Sequence, residues 1–527
     1  METPGQTIVR SPFPPVEIPD IPLHRFVFEH AERWADRPAL IDAPSGRTLT
    51  YGALVGAVPR IAAGLARRGL RKGDVVMIYS PNLPEYALAL YGAMAAGGVT
   101  STVNPLYTVG ELTYQLRDTK AKFLVTIPQF LDKAKEAAAA AGVQEVFVFG
   151  EGAGATPLAA LLAGEGDPPE VEFDPAEDVV VLPYSSGTTG LPKGVMLTHR
   201  NLVGNVVQGQ SVLSTAQDDV LLAVLPFFHI YGLVVLLTSA LRLGATLVTM
   251  PRFDLEQWLD AHGRYGVTVD FVVPPILLAM AKHPAVDAYD LSTVRFVFSG
   301  AAPASPELEE AVGKRLDCLV AQGYGLTETS PVLTANTADP TTIRHGSCGR
   351  LLPNTEAKVV SPETGEDQDP GQEGELCFRG PQVMKGYLNR PDATAAMIDP
   401  DGWIHTGDLG YIDPDGYFYV TDRVKELIKY KGMQVAPAEL EAVLISHPEI
   451  ADAAVIGSPD EEAGEVPKAF VVKRGDGLTE EDIKAWVAER VAPHKRIRSV
   501  EFIDAIPKSA SGKILRRILT DRDAAKT

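Results

Sequence analysis

The sequence predicts an α/β protein with a large N-terminal part of doubly wound, largely parallel β-sheets and a small C-terminal α+β domain. Through most of the chain, short runs rich in Val and Ile alternate with helical patterns rich in Ala and Leu, which is typical of β-α units. After about Arg344, Gly, Pro and Asp become dense and apolar residues alternate, which favours antiparallel strands. Helices and strands alternate again near the end, so we expect one domain at 1–422 and a second, mobile one at 423–527.

The N-terminal part is expected to repeat a strand–helix alternation that suits a parallel sheet. The first strands are predicted at 74–79, 121–126 and 145–149, and the first helices at 83–96 and 131–141. Small residues predict a linker at 152–169. Later strands are predicted at 222–225, 246–249, 271–273 and 296–298, with a helix at 255–265.

The C-terminal part is expected to change from antiparallel strands to a mixed domain. Antiparallel strands are predicted at 375–378 and 416–420, the second beside a turn at 413–416. The last domain is predicted to hold helices at 438–446 and 480–491 and strands at 453–456 and 468–472.

Composition excludes several classes of protein. The 527 residues include 48 Lys and Arg against 68 Asp and Glu, a formal net charge of -20, which argues against a general nucleic-acid or anionic-membrane binder. The three cysteines, Cys318, Cys348 and Cys377, are too few for a disulfide framework and fit free thiols in a reducing compartment. With no targeting segment in the sequence, we expect a cytoplasmic protein.

Two stretches without charged residues, 86–110 and 220–241, are long enough to cross a bilayer. Both are interrupted by Gly and Pro, and the second also contains His229. We therefore expect buried segments of a large core and no integral membrane part.

The strongest chemical signal is the segment 184–194, which directly follows an apolar strand. Gly187 and Gly190 let the backbone approach an anion, and Lys193 adds a cation. Hydroxyl donors come from Ser185, Ser186, Thr188 and Thr189. This composition suits a triphosphate, although the spacing is not that of Walker A and an ordinary Gly-rich turn is the alternative.

Two further clusters are weaker when taken alone. In 322–329, Tyr324 could stack on a base, Thr327 could bind phosphate and Glu328 could hold Mg²⁺, or the glutamate could lie on the surface. In 402–408, the carboxylate of Asp408 could accept the hydroxyls of a ribose, or the segment could be a capped turn.

Basic residues concentrate in 422–432 and 507–517 of an otherwise acidic chain. A solvated basic face is the simple interpretation. Lys513 differs because Ser511 and Gly512 before it and an apolar helix start after it suggest a presented loop. A mobile domain carrying this lysine could neutralise charge only when closed. His229, in an apolar stretch, is either a hydrogen-bonded core histidine or part of an acyl pocket.

In order along nearly the whole chain, these segments resemble the adenylate-forming superfamily of acyl-CoA synthetases, luciferases and peptide-synthetase adenylation domains. The motifs most similar to those of the 4-coumarate:CoA ligases are SSGTTGLPKGVMLTH, PFFHIYG, SGAAP, GYGLTE, GELCFRG, GWIHTGD and VKELIKYKGMQVAPAELE. The resemblance implies two flavodoxin-like parallel sheets and a distorted β-barrel in the large domain, followed by a small swivelling α+β domain.

The resemblance also implies roles for individual residues. The phosphate loop would comprise Ser185, Ser186, Gly187, Thr188, Thr189, Gly190 and Lys193. Adenine would be bordered by Ala301, Ala302, Pro303, Gln322, Gly323, Tyr324 and Gly325. Thr327 would serve phosphate, Glu328 the metal ion, Asp408 and Arg423 the ribose, and Lys425 the hinge. Catalytic positions would be Lys513, Lys429, Gln434 and His229, with Lys431 and Gly432 beside pantetheine. The acyl pocket would be lined by His229, Tyr231, Phe298, Gly300, Gly323, Pro331 and Val332.

The activity implied is an ATP-dependent carboxylate:CoA ligase that uses ATP, Mg²⁺ and coenzyme A on a small carboxylic acid, as a monomer or homodimer. The alternatives are a medium- or long-chain fatty acyl-CoA synthetase, a luciferase-like oxygenase, an enzyme that loads a carrier protein and a catalytically silent nucleotide-binding module. Plant phenylpropanoid ligases that resemble this chain carry a lysine where Phe298 stands. The pocket is therefore expected to favour cinnamate- or benzoate-like acids, or a medium-chain fatty acid, and Gly300 is expected to leave room for a bulky acyl group.

Overall fold

The structure is a computed structural model, and its described part comprises eight segments: 8–163, 167–185, 192–369, 371–431, 433–460, 463–475, 477–509 and 512–526. It confirms the predicted α/β class, with two largely parallel sheets, an antiparallel sheet and a small C-terminal sheet. The predicted boundary between 422 and 423 stays a prediction.

The first parallel sheet is central to the early part of the chain. Its strands, in spatial order, are Tyr184–Ser185, Lys193–Thr198, Val179–Leu182, Val99–Thr102, Val75–Tyr79, Phe123–Thr126, Glu145–Val148 and Thr156–Pro157. The last six are parallel, whereas Lys193–Thr198 is antiparallel to its neighbours and also pairs with Gly386–Tyr387. Val75–Tyr79 is buried along its whole length, as expected of a strand covered on both faces.

The second parallel sheet is built in the same way. Its strands, in spatial order, are Arg350–Leu351, Val332–Ala335, Leu319–Gly325, Phe296–Ser299, Val269–Val272, Val220–Ala223, Thr246–Thr249, Pro38–Asp42 and Thr48–Thr50. The outer pairs are antiparallel and the inner ones parallel. One apolar cluster extends over both parallel sheets and includes Ile78, Val125, Val269 and Phe296.

The antiparallel sheet and the C-terminal sheet follow along the chain. The first has the strand order Val9–Arg10, Glu356–Val360, Gly374–Arg379, Ile404–Ile412 and Phe418–Arg423. The second has the order Met433–Val435, Ile428–Tyr430, Gly464–Lys473 and Ile450–Asp460, with Ser499–Phe502 parallel to Gly464–Lys473.

Helices connect and cover these strands. In the large part they are Leu23–Phe28, Tyr51–Arg67, Pro84–Ala95, Val109–Thr119, Leu131–Ala141, His199–Gln210, Tyr231–Thr238 (a π-helix), Ser239–Leu243, Leu255–Tyr265, Pro274–Lys282, Pro306–Leu316 and Pro391–Met397. The later ones are Pro437–Ile445, Glu480–Ala488 and Arg516–Ala524. Several begin where a side-chain oxygen accepts a backbone N–H of the first turn, as at Thr108, Thr198 and Thr479.

Two sequence interpretations can be compared directly with the fold. Within the described residues no helix is long and apolar enough to cross a membrane. The predicted linker at 152–169 is not wholly irregular, because Thr156–Pro157 adds an edge strand and Leu158–Leu161 forms a 3₁₀ turn. Burial of Leu158 and Leu161 in the main core explains the difference, since apolar side chains outweigh the small residues around them.

Candidate active site

The predicted ribose carboxylate lies in a buried hydrogen-bonded cluster. Asp408 and Arg423 oppose each other on neighbouring strands of the antiparallel sheet. Arg423 Nε lies 3.0 Å from Asp408 Oδ1, and the Tyr324 hydroxyl donates a hydrogen bond of 2.7 Å to Oδ2. Three of the residues singled out from separate motifs therefore meet at one point.

Burial controls the electrostatics of this cluster. It raises the pKa of the Asp408 carboxyl, an effect that the Arg423 guanidinium and the Tyr324 hydroxyl oppose. Burial also raises the pKa of Tyr324 well above its usual range, and the neighbouring Asp408 carboxylate adds to the rise. Tyr324 therefore stays a neutral hydroxyl that donates its proton to Asp408.

The charge of Lys513, in the C-terminal part of the chain, interacts with the charges of this cluster. Its pKa is lowered to about 8, first by burial and then by the positive charge of Arg423, whereas Glu426 and Asp408 act in the opposite direction. The preceding residue, Gly512, has a φ of +79°, and a Cβ at this position would lie 3.4 Å from side-chain atoms of Val273 and Pro275. Gly512, next to Lys513, therefore packs against the large part of the chain.

The other predicted lysines lie elsewhere. Lys425, Lys429 and Lys431 are exposed, and the latter two lie on or beside the hairpin formed by Ile428–Tyr430 and Met433–Val435. The backbone of Lys429 pairs with Gln434 and donates from its N–H to Glu465 Oε2 at 2.8 Å. Gly432 and the side chain of Gln434 lie outside the described residues.

The stem of the predicted phosphate loop is well defined. Ser185 and Lys193 face each other across the hairpin stem, while Ser186, Gly187, Thr188, Thr189 and Gly190 lie outside the described residues. The Tyr184 hydroxyl donates to Asp118 Oδ2 at 2.7 Å, and the Tyr114 hydroxyl donates to the Pro192 carbonyl at 3.1 Å. Both bonds fix the stem to the helix Val109–Thr119.

A residue that sequence reasoning missed connects this stem with the predicted metal ligand. The Tyr387 hydroxyl donates to Glu328 Oε1 at 2.7 Å, and the ammonium nitrogen of Lys193 lies 4.4 Å from the centre of the Tyr387 ring. Tyr387 reaches both because its strand pairs with Lys193–Thr198. Its local sequence, a tyrosine before a turn, carries no signal for this role.

Glu328 is suited to hold a hard cation. It is buried in the short turn Thr327–Thr329, and Tyr387 occupies only one of its carboxylate oxygens. The Thr327 hydroxyl beside it is a second oxygen donor. A carboxylate and a hydroxyl are ligands that Mg²⁺ accepts together with phosphate oxygens.

The predicted adenine border is held mainly through backbone contacts. The buried Gln322 carboxamide donates to the Ala304 carbonyl at 3.0 Å and accepts from the Ala304 N–H at 3.1 Å, so its polar atoms hold the loop that contains Ala301, Ala302 and Pro303. Gly325 must be glycine, because a Cβ there would lie 1.9 Å from the Pro331 carbonyl oxygen. The close approach of the Pro331 backbone to Gly325 explains the glycine at this position better than contact with a ligand does.

Several of the predicted acyl-pocket residues lie close together. A Cβ on Gly300 would lie 3.1 Å from the Tyr231 ring, so this ring packs against the glycine; the room for a bulky acyl group stays a prediction. The Tyr231 hydroxyl also donates to the Phe298 carbonyl at 3.3 Å. A Cβ on Gly323 would lie 2.6 Å from the Phe298 ring, so both glycines permit aromatic packing.

His229 lies beside this aromatic group as a neutral side chain. Burial lowers the pKa of its imidazole to about 4. Its Nδ1 accepts from the Tyr231 N–H at 3.2 Å, a bond that leaves the other ring nitrogen to carry the proton. Pro331 and Val332 follow the turn that contains Glu328 and complete the predicted set.

Comparison with known protein families shows to which family this chain belongs. Residues 27–388 match the AMP-binding enzyme family, and residues 439–513 match the AMP-binding enzyme C-terminal domain. The chain belongs to the AMP-binding enzyme family. The resemblance inferred from the motifs is thus confirmed.

Relatives of this AMP-binding enzyme align along their whole length. The chain is 47% identical to 4-coumarate--CoA ligase 5 of Oryza sativa subsp. japonica, over 99% of this chain and 98% of the relative. It is also 47% identical to the 4-coumarate--CoA ligase of Pinus taeda, over 98% of both chains.

Solved structures of related enzymes share the fold. The anthranilate CoA ligase AuaEII in complex with anthranoyl-AMP has a TM-score of 0.90 at 25% identity, covering 97% of this chain and 99% of that one. ATP-bound MatB from Rhodopseudomonas palustris has a TM-score of 0.85 at 30% identity, covering 95% and 99% respectively.

Proposed function

We propose that this AMP-binding enzyme is an ATP-dependent carboxylate:CoA ligase that acts on an aryl acid of the 4-coumarate or cinnamate type. One observation supports the proposal most strongly: the charge of Lys513, from the C-terminal part, interacts with Asp408 and Arg423 of the buried cluster in the large part. Full-length similarity to 4-coumarate--CoA ligases supports the same reaction.

The first half-reaction makes the acid reactive. A carboxylate oxygen attacks the α-phosphorus of ATP, the bond from that phosphorus to the bridging oxygen breaks, and pyrophosphate leaves. Both reactants are anions, so the chain must supply positive charge and fix their orientation. We assign the ammonium of Lys513 to the charge that grows at the α-phosphate and the departing pyrophosphate, and Lys193 with the phosphate loop to the remaining phosphates.

Glu328 and Thr327 would hold Mg²⁺, which neutralises phosphate charge when it is bound. Tyr387 would keep the Glu328 carboxylate in one orientation. Asp408 would accept the ribose hydroxyls, with Arg423 and Tyr324 fixing its two oxygens. The adenine would lie along the backbone from Ala301 to Pro303 and the strand Leu319–Gly325.

In the second half-reaction the CoA thiol sulfur attacks the acyl carbon, the bond from that carbon to the AMP oxygen breaks, and the thiol proton leaves. Lys429, Lys431, Gly432 and Gln434 would act at this stage. Because Lys429 and Lys431 are exposed while Lys513 lies at the cluster, the arrangement suits adenylation, and the small domain must turn about Lys425 before the thiol attacks.

The aryl or other acyl group would meet apolar surroundings. Phe298 is 2% exposed and packs against Phe271, with ring centres 5.7 Å apart. Phe271 and Val332 also line a neighbouring cavity, and the described residues around this cavity include no charged side chain.

The same cavity lining includes the carboxamides of Asn205 and Gln210, so a ring hydroxyl would find neutral hydrogen-bond partners there but no charged one. We therefore expect an unsubstituted cinnamate ring to be preferred to a hydroxylated one. A medium- or long-chain fatty acid is the second candidate, favoured by the apolar side chains of this lining, such as Val234, Val235 and Phe271.

Pyrophosphate release across a panel of acids, measured with and without CoA, tests this function. We expect release that depends on an aryl acid, and acyl-CoA formation only when CoA is present. Acid-dependent release without any thioester would indicate an enzyme that loads another acceptor. No acid-dependent turnover would contradict the proposal and favour a silent nucleotide-binding module.

Replacing Phe298 by lysine tests the substrate assignment. We expect Phe298→Lys to shift the ratio of kcat/KM values toward 4-hydroxylated cinnamates by roughly tenfold, because the ammonium gives the ring hydroxyl a partner. Phe298→Leu, which keeps the position apolar, is the control and should retain the original preference. An unchanged profile in folded Phe298→Lys protein would remove Phe298 from the pocket.

Replacing Tyr387 by phenylalanine tests its contact with Glu328. Losing a hydrogen bond to a charged group costs about 1.5–3 kcal/mol, so Tyr387→Phe should raise the Mg²⁺ concentration needed for half-maximal pyrophosphate exchange about tenfold or more. Direct binding of Mn²⁺ in the presence of ATP should weaken as well. Tyr51→Phe is the matched control, since the Tyr51 hydroxyl is buried against the Ala240 and Ala245 carbonyls. Equal effects of both substitutions would show a general loss of stability and contradict the role.

A further inference from the structure

A buried thiol, an imidazole and a carboxylate meet in the antiparallel sheet, on strands that the proposed reaction uses only through Asp408. Cys377 Sγ lies 3.4 Å from His405 Nδ1, and the same nitrogen lies 3.1 Å from Glu375 Oε2. The three ligand atoms all lie within 4.8 Å of one another. We propose that these residues form a three-ligand site for one Zn²⁺ ion, with its fourth position open to water.

The sheet itself positions the ligands. Cys377 and His405 are direct partners in the pairing of Gly374–Arg379 with Ile404–Ile412. Glu375 lies two residues before Cys377 on the same strand, the spacing that brings side chains to one face. Four-coordinate zinc bonds of roughly 2.0–2.3 Å separate neighbouring ligand atoms by roughly 3.3–3.6 Å, close to the two distances observed.

The surrounding contacts match what metal ligands require. The Gly407 N–H donates to Glu375 Oε1 at 2.8 Å and so directs the other oxygen toward the histidine. Asp399 Oδ2 lies 3.7 Å from His405 Nε2, on the ring nitrogen opposite the proposed ion. At this distance the Asp399 carboxylate attracts a proton on Nε2 through its charge without a direct hydrogen bond, which favours the tautomer whose Nδ1 is free to bind metal.

Charge and access also favour a cation. Glu375 and Asp399 are acidic, and the nearby ammonium of Lys358 is already paired with Asp367 at 3.3 Å. Cys377 is fully buried, but 32% of the His405 side chain is exposed, which gives an ion a route from solvent.

On binding, the S–H bond of Cys377 breaks, a sulfur–zinc bond forms and the proton leaves to water. A thiolate with nitrogen and oxygen ligands suits zinc and not Mg²⁺, so the ion would not be the one proposed at Glu328.

Titration of the reduced, tag-free full chain with Zn²⁺ and with Co²⁺ tests the site. We expect one bound Zn²⁺ per chain that excess Mg²⁺ does not displace, an increase in Tm on binding, and a thiolate-to-cobalt charge-transfer band with Co²⁺. Cys377→Ser should abolish the band and the Tm increase. Cys318→Ser, which changes a cysteine next to the second parallel sheet, should retain both.

Asp399→Asn provides a milder variant, because it removes only the carboxylate behind the imidazole. We expect it to weaken Zn²⁺ binding about 10–100-fold while the cobalt band persists at saturation. Absence of stoichiometric binding by the unsubstituted chain, or a band that survives Cys377→Ser, would overturn the proposal. If Cys377→Ser does not fold, the cobalt spectrum of the unsubstituted chain together with Asp399→Asn decides the question, and a spectrum without the thiolate band overturns it.

Discussion

Lys513→Ala should reduce acid-dependent ATP–pyrophosphate exchange by at least 10²-fold, while thioester formation from supplied acyl adenylate and CoA stays within about twofold of the unsubstituted enzyme. The reason is that one ammonium at the developing charge contributes roughly 3–4 kcal/mol to transition-state stabilisation. After the adenylate has formed, that charge has left with pyrophosphate. The two half-reactions, measured separately, check the expectation.

Lys484→Ala is the matched control for this lysine. Lys484 belongs to the same domain, but it forms a surface pair with Glu480 at 2.7 Å on the helix Glu480–Ala488. Its replacement should leave both half-reactions unchanged. A Lys513→Ala enzyme that loses only thioester formation would contradict the role assigned to Lys513.

The pH profile of adenylation provides a second signature of the same lysine. Because the pKa of Lys513 is lowered to about 8, the free enzyme loses this positive charge as the pH rises through that value. The kcat/KM for ATP in the exchange reaction should therefore fall above about pH 8. Lys513→Arg should move this fall to higher pH, since a guanidinium stays charged. A fall that stays at the same pH in the arginine variant would assign it to another group.

The fold class and the main motifs could be predicted from the sequence because each depends on contiguous residues. Apolar runs such as Val75–Tyr79 are buried on both faces whatever packs against them. Tyr324, Thr327 and Glu328 come from one short segment, and Asp408 follows a glycine-rich turn. Local composition is enough to identify such segments as candidates for strands or functional sites. Their order along the chain then indicates the family.

Contacts between distant parts of the chain could not be predicted in this way. Tyr387 contacts Glu328, 59 residues away, only because its strand pairs with Lys193–Thr198. The neighbour of Gly300 could not be predicted for the same reason, because the side chain beside this glycine, Tyr231, comes from a distant part of the chain. The residue type limits which conformations and contacts are possible at a position. The tertiary packing then determines which side chains are its neighbours.

Asp408→Asn should raise the KM for ATP in pyrophosphate exchange about 10²-fold. An amide is neutral and can replace only part of what the carboxylate provides to two ribose hydroxyls, at about 1.5 kcal/mol for each hydrogen bond to a charged group. The substitution also removes the carboxylate that pairs with Arg423 at 3.0 Å and leaves only the weaker charge interactions with Glu426 and Glu328, so the free energy of unfolding should fall by about 1–3 kcal/mol. Nucleotide titration and denaturant unfolding measure the two effects.

Glu356→Gln separates the loss of nucleotide binding from the loss of an ion pair. Glu356 lies in the same antiparallel sheet and accepts from Arg379 at 2.6 Å. Its side-chain hydrogen bonds within the described residues are with Arg10 and Arg379, and neither of these is a proposed nucleotide-binding residue. Its replacement should lower stability to a lesser degree, because this pair is more exposed, and leave the KM for ATP unchanged. If Asp408→Asn likewise lowers stability without weakening ATP binding, then the Asp408–Arg423 pair serves only the fold, and the nucleotide must lie elsewhere than at the Lys513 cluster.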